Sequence, residues 1–230
     1  MIKLMWFLAR KDGVSVEAFH ARWRDEHSQI VLRAPGIRAY VQSHCIPEAY
    51  DFYDPPFDGM AEIWFDDLET MRAAEASEPW RESGVDSRDF IGKGVRLVTK
   101  EFVMRDEWRS PRDRESMVKY VALSTRKRGL SLEAFQTHWR QKHGPLVMAA
   151  FPQMTRYVQS HPLSELESGV EPAYDGVPAL YFPSLEAFPW GLIKRVGPPP
   201  SEPSAAATDA QSLFELPIPG LVTREVAFIE

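Results

Sequence analysis

The stretch that decides the fold is Met1–His27, MIKLMWFLARKDGVSVEAFHARWRDEH, because it occurs a second time as Met117–His143, MVKYVALSTRKRGLSLEAFQTHWRQKH. The two stretches align without a gap and share 12 of 27 residues, far more than chance gives. Further matches follow in the same order, ending with Leu97–Glu101 and Leu221–Glu225. A repeat of this kind predicts two copies of one structural unit.

Both units show one order of elements, strand, helix, strand, strand, helix, strand. Apolar residues at both odd and even positions of Ile2–Ala9 predict a first strand that is covered on both faces. A helical stripe follows in each copy: Val16, Phe19, Trp23, His27 and Ile30, and again Leu132, Phe135, Trp139, His143 and Leu146. Three further strands are predicted per unit, at residues 37–45, 59–65 and 94–104, and at 154–161, 177–182 and 221–229.

This order predicts an α+β fold of two ferredoxin-like βαββαβ units, residues 1–105 and 117–230, with a charged linker at residues 106–116. Each four-stranded sheet leaves one face without helices, and that face is too apolar for water. We therefore expect the two sheets to close into an intramolecular eight-stranded barrel, a pseudo-dimer within one chain. In the second unit, the Pro-rich stretch near residues 189–209 is expected to replace the second helix by a mobile loop, either a lid or slack.

The composition excludes several classes of protein. Of the 230 residues, 44% are hydrophobic and 26% are charged, as in globular proteins, and the net charge of −6 argues against a nucleic-acid partner. Cys45 is the single cysteine, so an intrachain disulfide is impossible. Without an apolar run of about 20 residues or a signal-peptide pattern we expect no membrane partner and a cytoplasmic location. Association into a further homodimer stays open.

Six histidines are candidates for proton transfer, because imidazole titrates near neutral pH. The repeat pairs four of them: His27 with His143, and His44 with His161. His20 and His138 have no counterpart and are set aside. Each paired histidine has two interpretations, a hydrogen-bonded core residue or a catalytic acid and base, and whether His27 and His44 share one cavity stays open.

A polar row recurs on the second strand of each unit. The alternation of a strand places Tyr40, Gln42 and His44 on one face, and Tyr157, Gln159 and His161 repeat the row. We expect this face to line the barrel interior and to bind substrate there, in a pocket whose aromatic walls include Trp6, Trp23 and Trp139. The alternative is an edge strand with a solvated polar face.

Two Asp-Gly pairs begin the third strands. Asp58 and Asp175 could each orient a histidine and contact substrate, although an Asp-Gly pair is more often a turn. A metal site would need a third ligand beside two histidines, and only Asp58 or Glu26 is near in sequence. Nucleotide-binding and serine-hydrolase motifs are missing from the sequence.

The combination of motifs resembles the EthD family of the dimeric α+β barrel superfamily. The W-R-x-x-H motif stands at Trp23–His27 and Trp139–His143, and the Y-x-Q-x-H motif at Tyr40–His44 and Tyr157–His161. The resemblance spans both units and implies paired ferredoxin-like sheets. Related barrels include cofactor-free monooxygenases, isomerases, polyketide cyclases and dehydratases. Some related barrels bind haem, for which His27 or His143 could be axial, but we expect no cofactor and no metal.

The leading functional hypothesis is a cofactor-independent enzyme that acts on a hydrophobic carbonyl or phenolic compound, as a dehydratase, cyclase or isomerase. Histidine would move the proton, and the Tyr and Gln pairs would hold the substrate oxygen. The alternatives are a cofactor-free monooxygenase and a binding protein without catalysis. Because His143 precedes Gly-Pro-Leu, as in the family, and the Pro-rich stretch could form a lid, we favour the second unit as the active one.

Overall fold

The computed structural model describes residues 1–107, 114, 116–164, 169, 172–193 and 202–229, and its centre is a closed barrel of antiparallel strands. The strands are β1 (Ile2–Arg10), β2 (Ala39–Cys45), β3 (Gly59–Phe65), β4 (Ile91–Asp106), β5 (Val118–Ala122), β6 (Arg156–Pro162), β7 (Val177–Phe182) and β8 (Gly220–Ile229). Around the barrel they follow the order β1-β3-β2-β8-β5-β7-β6-β4. The expected eight-stranded α+β barrel within one chain is therefore confirmed.

The two halves of the chain join at two seams. In each half the strands lie in the order fourth, first, third, second. At one seam β2 pairs with β8, where Ser43 lies opposite Glu225, and at the other β4 pairs with β6, where Phe102 lies opposite Gln159. Each half therefore supplies the hydrogen-bonding partner for both edge strands of the other half.

Helices cover the outer face of the barrel. In the first half they are α1 (Val16–Arg22), α2 (Ser28–Val31), α3 (Pro47–Phe52), α4 (Leu68–Glu75) and α5 (Glu78–Ser87), and in the second half α6 (Leu132–His138), α7 (Gly144–Ala150) and α8 (Ala205–Leu213). Ser15 and Ser131 begin the first helix of each half, and each hydroxyl accepts a hydrogen bond from a backbone N–H three residues on.

A π-helical turn interrupts the first long helix of each half, at Trp23–His27 and at Trp139–His143. The extra residue in such a turn rotates the following helix, so the buried stripe moves by one position. Val31 and Val147 are buried as a result, whereas Ile30 and Leu146 are only half-buried. The stripe predicted from spacing is correct as far as the two histidines and shifts after them.

The barrel interior is half apolar and half charged. Methionine, phenylalanine and aliphatic side chains, among them Met5 and Phe7, fill one part of it. In the other part Glu62 lies between two lysines, Lys3 at 2.8 Å and Lys119 at a shorter distance. Each lysine has a second carboxylate at 2.7 Å, so both of these buried cations are paired.

The expected loop near residues 189–209 is wrong in part. A short 3-10 turn occupies Trp190–Leu192, and helix α8 takes in residues 205–209, so the second helix is present in this half. Alanine-rich sequence favours the helix, and the Ser204 hydroxyl caps it by accepting from the N–H of Ala207 at 3.1 Å. Residues 194–201 and most of the predicted linker lie outside the described residues. Within the described residues, no helix is both long and apolar enough to cross a membrane.

Candidate functional site

The polar row of β2 forms a chain of hydrogen bonds. The side-chain amide of Gln42 donates to the hydroxyl of Tyr40 at 2.7 Å and to the backbone carbonyl of Trp23 at 3.0 Å, while its carbonyl oxygen lies 2.9 Å from Nε2 of His44. The second half repeats this chain with Gln159, Tyr157, Trp139 and His161 at 2.8–3.2 Å. In both halves the row connects the strand to the π-helical turn.

The prediction that this row faces the barrel interior is wrong. Tyr40 packs in the layer between helices and sheet, and the ring of His44 lies 4.6 Å from the ring of Trp23 on the helix. Ser43 on the opposite face points inward, where its hydroxyl accepts from Lys119 at 3.1 Å. Alternation fixed which residues share a face, but both faces are buried here, so the sequence pattern did not decide which one is inside.

His27 is held by an acid that the sequence reasoning missed. Its Nδ1 lies 2.8 Å from a carboxylate oxygen of Asp86 on α5, and Arg22 pairs with the other oxygen at 2.7 Å. The imidazole is 6% exposed, and in the described part of the chain its Nε2 has no hydrogen-bond partner. Burial, together with the nearby Arg22, lowers the pKa of His27 by more than Asp86 raises it, so the ring is neutral near pH 7.

His143 has the same kind of partner in the second half. Its Nδ1 lies 3.0 Å from Asp209 on α8, and Asp209 also binds Lys142 and His138. The ammonium and imidazole contacts outweigh burial and lower the pKa of Asp209 to about 2. His138, which has no histidine counterpart in the repeat, therefore binds Asp209 in the way that the aligned Arg22 binds Asp86. Each of the two helices carries an aspartate, but the alignment of the two copies is interrupted there, so the repeat did not pair the two acids.

The candidate site is a cavity of about 360 Å³ in the first half, between the sheet and α5. His27, Tyr40, Trp6 and Trp23 line it, and His44 does not, so the two histidines do not share it. Its other lining residues come mainly from α5 and the start of β4, among them Trp80, Ser83, Gly84, Ser87, Arg88 and Gly94. The second unit was favoured because Gly-Pro-Leu follows His143 and because of the Pro-rich stretch, whereas this cavity lies in the first unit.

His44 and His161 are poorly suited to act as bases near neutral pH. Burial is the main cause that lowers the pKa of His44 to about 3, and it lowers the pKa of His161 to about 4 with help from Arg140. The ring of His161 stacks on that of Trp139 at 4.6 Å and lines a separate groove of about 350 Å³, beside Arg140 and Phe102. Their hydrogen bonds and stacking are those of structural histidines.

In each Asp-Gly pair the aspartate binds an arginine at or after the end of the first strand of its half, and the glycine leaves room for the tryptophan of the helix. Asp58 accepts from the backbone N–H of Arg10 at 2.7 Å and pairs with its guanidinium, and Asp175 does the same for Arg126. In the part of the chain that the structure describes, neither carboxylate is hydrogen-bonded to a histidine, but the backbone carbonyl of Asp58 lies 3.0 Å from Nε2 of His20. The glycine is needed for space, because a Cβ at Gly59 would lie 2.5 Å from the indole of Trp23. Among the described residues no cluster of three or more His, Cys, Asp or Glu could hold a metal ion.

Solved structures with the same fold cover nearly the whole chain. An anthrone oxidase-like protein matches over 98% of this chain and 90% of its own, with a TM-score of 0.68 at 10% identity. A candidate monooxygenase from Fusobacterium nucleatum matches over 100% and 97%, with a TM-score of 0.58 at 6% identity. One from Lactobacillus acidophilus matches over 98% and 94%, with a TM-score of 0.55 at 11% identity. At these identities the likeness shows the fold alone.

The family is shown by sequence. A search of the curated proteins finds no match to this chain. The EthD domain model matches residues 11–94 and 127–189, one segment in each half, and together the segments span more than half of the chain. Both segments contain the tryptophan and histidine of the π-helical turn and the polar row of the following strand. The chain therefore belongs to the EthD domain family.

Proposed function

We propose that the protein is an enzyme that removes a proton from a hydrophobic carbonyl or phenolic compound bound in the cavity of the first half, with His27 as the base. The observation that carries this proposal is the free Nε2 of His27 on the cavity wall, opposite an Nδ1 that Asp86 holds. This arrangement fixes the tautomer whose lone pair can accept the proton, and the carboxylate stabilises the imidazolium that forms.

A donor for the substrate oxygen lies on the same wall. Gln42 donates to the hydroxyl of Tyr40, which leaves the phenolic hydrogen available for an oxygen atom of the ligand. Burial raises the pKa of Tyr40 above its ordinary value, so the phenol stays protonated at neutral pH. His27 would accept the proton, and Tyr40 would stabilise the negative charge that develops on the substrate oxygen, as the formation of an enolate requires. This chemistry needs no cofactor.

Two outcomes can follow from such an enolate. Return of the proton at another atom gives an isomerase, and loss of a hydroxide gives a dehydratase. Attack of the enolate carbon on a second carbonyl of the same molecule, whose oxygen then takes the proton, gives a cyclase. Reaction with oxygen gives a cofactor-free monooxygenase, and the fold shared with an anthrone oxidase-like protein favours testing this route. In that reaction an anthrone loses two hydrogens from one carbon and gains one oxygen atom, so anthrone and O₂ become anthraquinone and water.

The experiment uses anthrone as a probe and compares His27→Gln with His143→Gln, the matched change in the second half. Oxygen uptake is measured in air, and exchange of the acidic hydrogens for deuterium is measured in D₂O without oxygen. We expect His27→Gln to slow the enzyme-dependent rate by roughly 10²–10⁴ and His143→Gln to leave it nearly unchanged. Equal losses from both changes would contradict the assignment to the first half. Binding of probe without exchange or uptake would favour the non-catalytic alternative.

We also infer that each half is a ferredoxin-like unit and that the barrel arose by tandem duplication of one such unit. The repeated strand order and the repeated hydrogen-bond chain on β2 and β6 support this origin. The second half would then keep its histidine and acid as parts of the helix packing.

A further inference from the structure

The helix side of the cavity in the first half is small and polar. Residues of α5 and its C-terminal cap recur there at helical spacing: Trp80, Ser83, Gly84, Ser87 and Arg88. A helix that packs on a sheet ordinarily presents large apolar side chains on this face. Here Ser83, Gly84 and Ser87 leave open space, and the opposite wall is aromatic, with Trp6, Trp23 and Tyr40. A ligand would meet a flat apolar surface on one side and polar groups on the other.

The charge at this cavity is positive. Arg88 and Lys93 are the charged residues of its lining besides the neutral His27, and no carboxylate lines it. The ammonium of Lys93 lies 5.0 Å from the ring centre of Phe57, a residue that does not line the cavity. The guanidinium of Arg88 has no ion-pair partner in the described part of the chain, since the nearby Asp86 and Asp89 both pair with Arg22.

The serine hydroxyls add acceptors but no free donor for an anion. Ser83 donates to the carbonyl of Trp80 at 2.8 Å, and Ser87 donates to the carbonyl of Ser83 at 2.7 Å. Arg88, one residue beyond the end of α5, is therefore the group on this wall that can bind a negative charge. Its exposed position places that charge at the mouth of the cavity, with the apolar body of the ligand inside.

We infer that the ligand of this cavity is a flat aromatic compound that carries an anionic group, and that Arg88 binds this group at the mouth. The inference rests on the proposed function for the location of the site and adds the charge of the substrate. It distinguishes an aromatic carboxylate or a similar anion from a neutral polycyclic compound, and it assigns to Arg88 a role in specificity that is separate from proton transfer.

Two fluorescent probes with the same aromatic body test this inference by binding alone. One is 1-anilinonaphthalene-8-sulfonate, and the other is N-phenyl-1-naphthylamine, which lacks the sulfonate. With Arg88→Gln we expect the Kd of the anionic probe to rise roughly fivefold at low ionic strength and the Kd of the neutral probe to stay within about twofold. The control is Arg81→Gln, on the same helix, where Arg81 pairs with Glu78 at 2.6 Å and lies outside the cavity lining.

A third change shows whether the probes occupy the cavity. A Cβ at Gly84 meets nothing within 4 Å, so Gly84→Trp can fill the space without moving the backbone. We expect it to weaken both probes roughly tenfold. Its melting temperature is measured first, and Gly84→Leu replaces it if the larger ring unfolds the protein.

The outcomes separate the inference from the function on which it rests. If Gly84→Trp excludes both probes and Arg88→Gln weakens only the anionic one, the inference is supported. If Gly84→Trp excludes both and Arg88→Gln affects them equally, the inference about charge is overturned while the cavity stands. If neither probe responds to the change at Gly84, the cavity is not a binding site, and the proposed function fails with the inference.

Discussion

Glu62→Gln is expected to destabilise the barrel more than any other single change of a carboxylate to an amide in this chain. Glu62 lies on β3 of the first half, is 2% exposed, and binds Lys3 of its own half and Lys119 of the other. Burial alone would raise the pKa of Glu62, but the two ammonium groups outweigh it and lower the pKa to about 2. The carboxylate is therefore ionised in the folded protein at every ordinary pH.

The magnitude follows from what is left behind. Removing the charge leaves Lys3 with Glu101 and Lys119 with Glu225 as their remaining carboxylates, and breaking two contacts of a buried carboxylate in this way costs roughly 3–5 kcal/mol. In a chain of this length 1 kcal/mol shifts the melting temperature by roughly 2–4 °C, so a decrease of about 10 °C is expected. The folded pKa lies below the unfolded value of 4.5, so the stabilisation is complete above pH 4.5 and is lost as the pH falls towards about 2.

Urea unfolding followed by circular dichroism measures this effect at pH 7 and at several values below pH 4.5. The control is Glu75→Gln on α4, where the carboxylate pairs with Arg96 at 2.8 Å and is 26% exposed, so the loss should stay within about 1 kcal/mol. A cost at Glu62 no larger than the cost at Glu75 would refute the reasoning. So would a difference between wild type and Glu62→Gln that does not shrink at low pH.

Three further predictions concern the site and the halves. Asp86→Asn should slow turnover by roughly tenfold, less than His27→Gln, and should move the acid limb of the pH–rate profile to lower pH, because the carboxylate that raises the pKa of His27 is lost. His44→Gln and His161→Gln should leave turnover unchanged and lower the stability by roughly 1–3 kcal/mol, measured as the melting temperature, because each removes a hydrogen bond in a buried chain. A chain that ends at Arg105 should self-associate or aggregate in size-exclusion chromatography, because its sheet loses the partner for both seams, and a stable monomer would contradict this.

The fold was predictable because several independent patterns agree on it. The repeat shows two units, the alternation and the helical stripe give the element order, and the order requires a cover for each sheet. The shift of the buried stripe at the π-helical turn was not predictable, because the spacing of apolar residues up to His27 is that of an ordinary α-helix. The inserted residue shows only after the turn, where Val31 is buried in place of Ile30. Helix α8 was missed because prolines before it dominated the interpretation of the segment.

The candidate site was predictable only in part. His27 and Tyr40, two of the predicted site residues, are buried and line one cavity. The sequence does not show which face of β2 points into the barrel, because both faces are buried and neither is marked by solvent-exposed polar residues. Asp86 is far from His27 in sequence, and nothing in a single aspartate on an amphipathic helix distinguishes an ion-pair partner of a buried imidazole from a solvated surface charge.

The repeat allows the two halves to differ in the layer between helices and sheet while they share one barrel. The barrel interior belongs to both halves, since Glu62 of the first binds Lys119 of the second, and a loss in either half would destabilise the whole. The layer between helices and sheet is built mainly by one half, with a few side chains from the other, such as Phe228, whose ring stacks on that of Tyr40 at 5.0 Å. Trp6 of the first half corresponds to Ala122 in the second, and on α8 Leu213 packs with Phe135 and Trp139 in the second half. A change in one layer therefore affects mainly its own half, and the two halves differ in what opens there, a cavity of about 360 Å³ beside His27 in the first and a groove of about 350 Å³ beside His161 in the second.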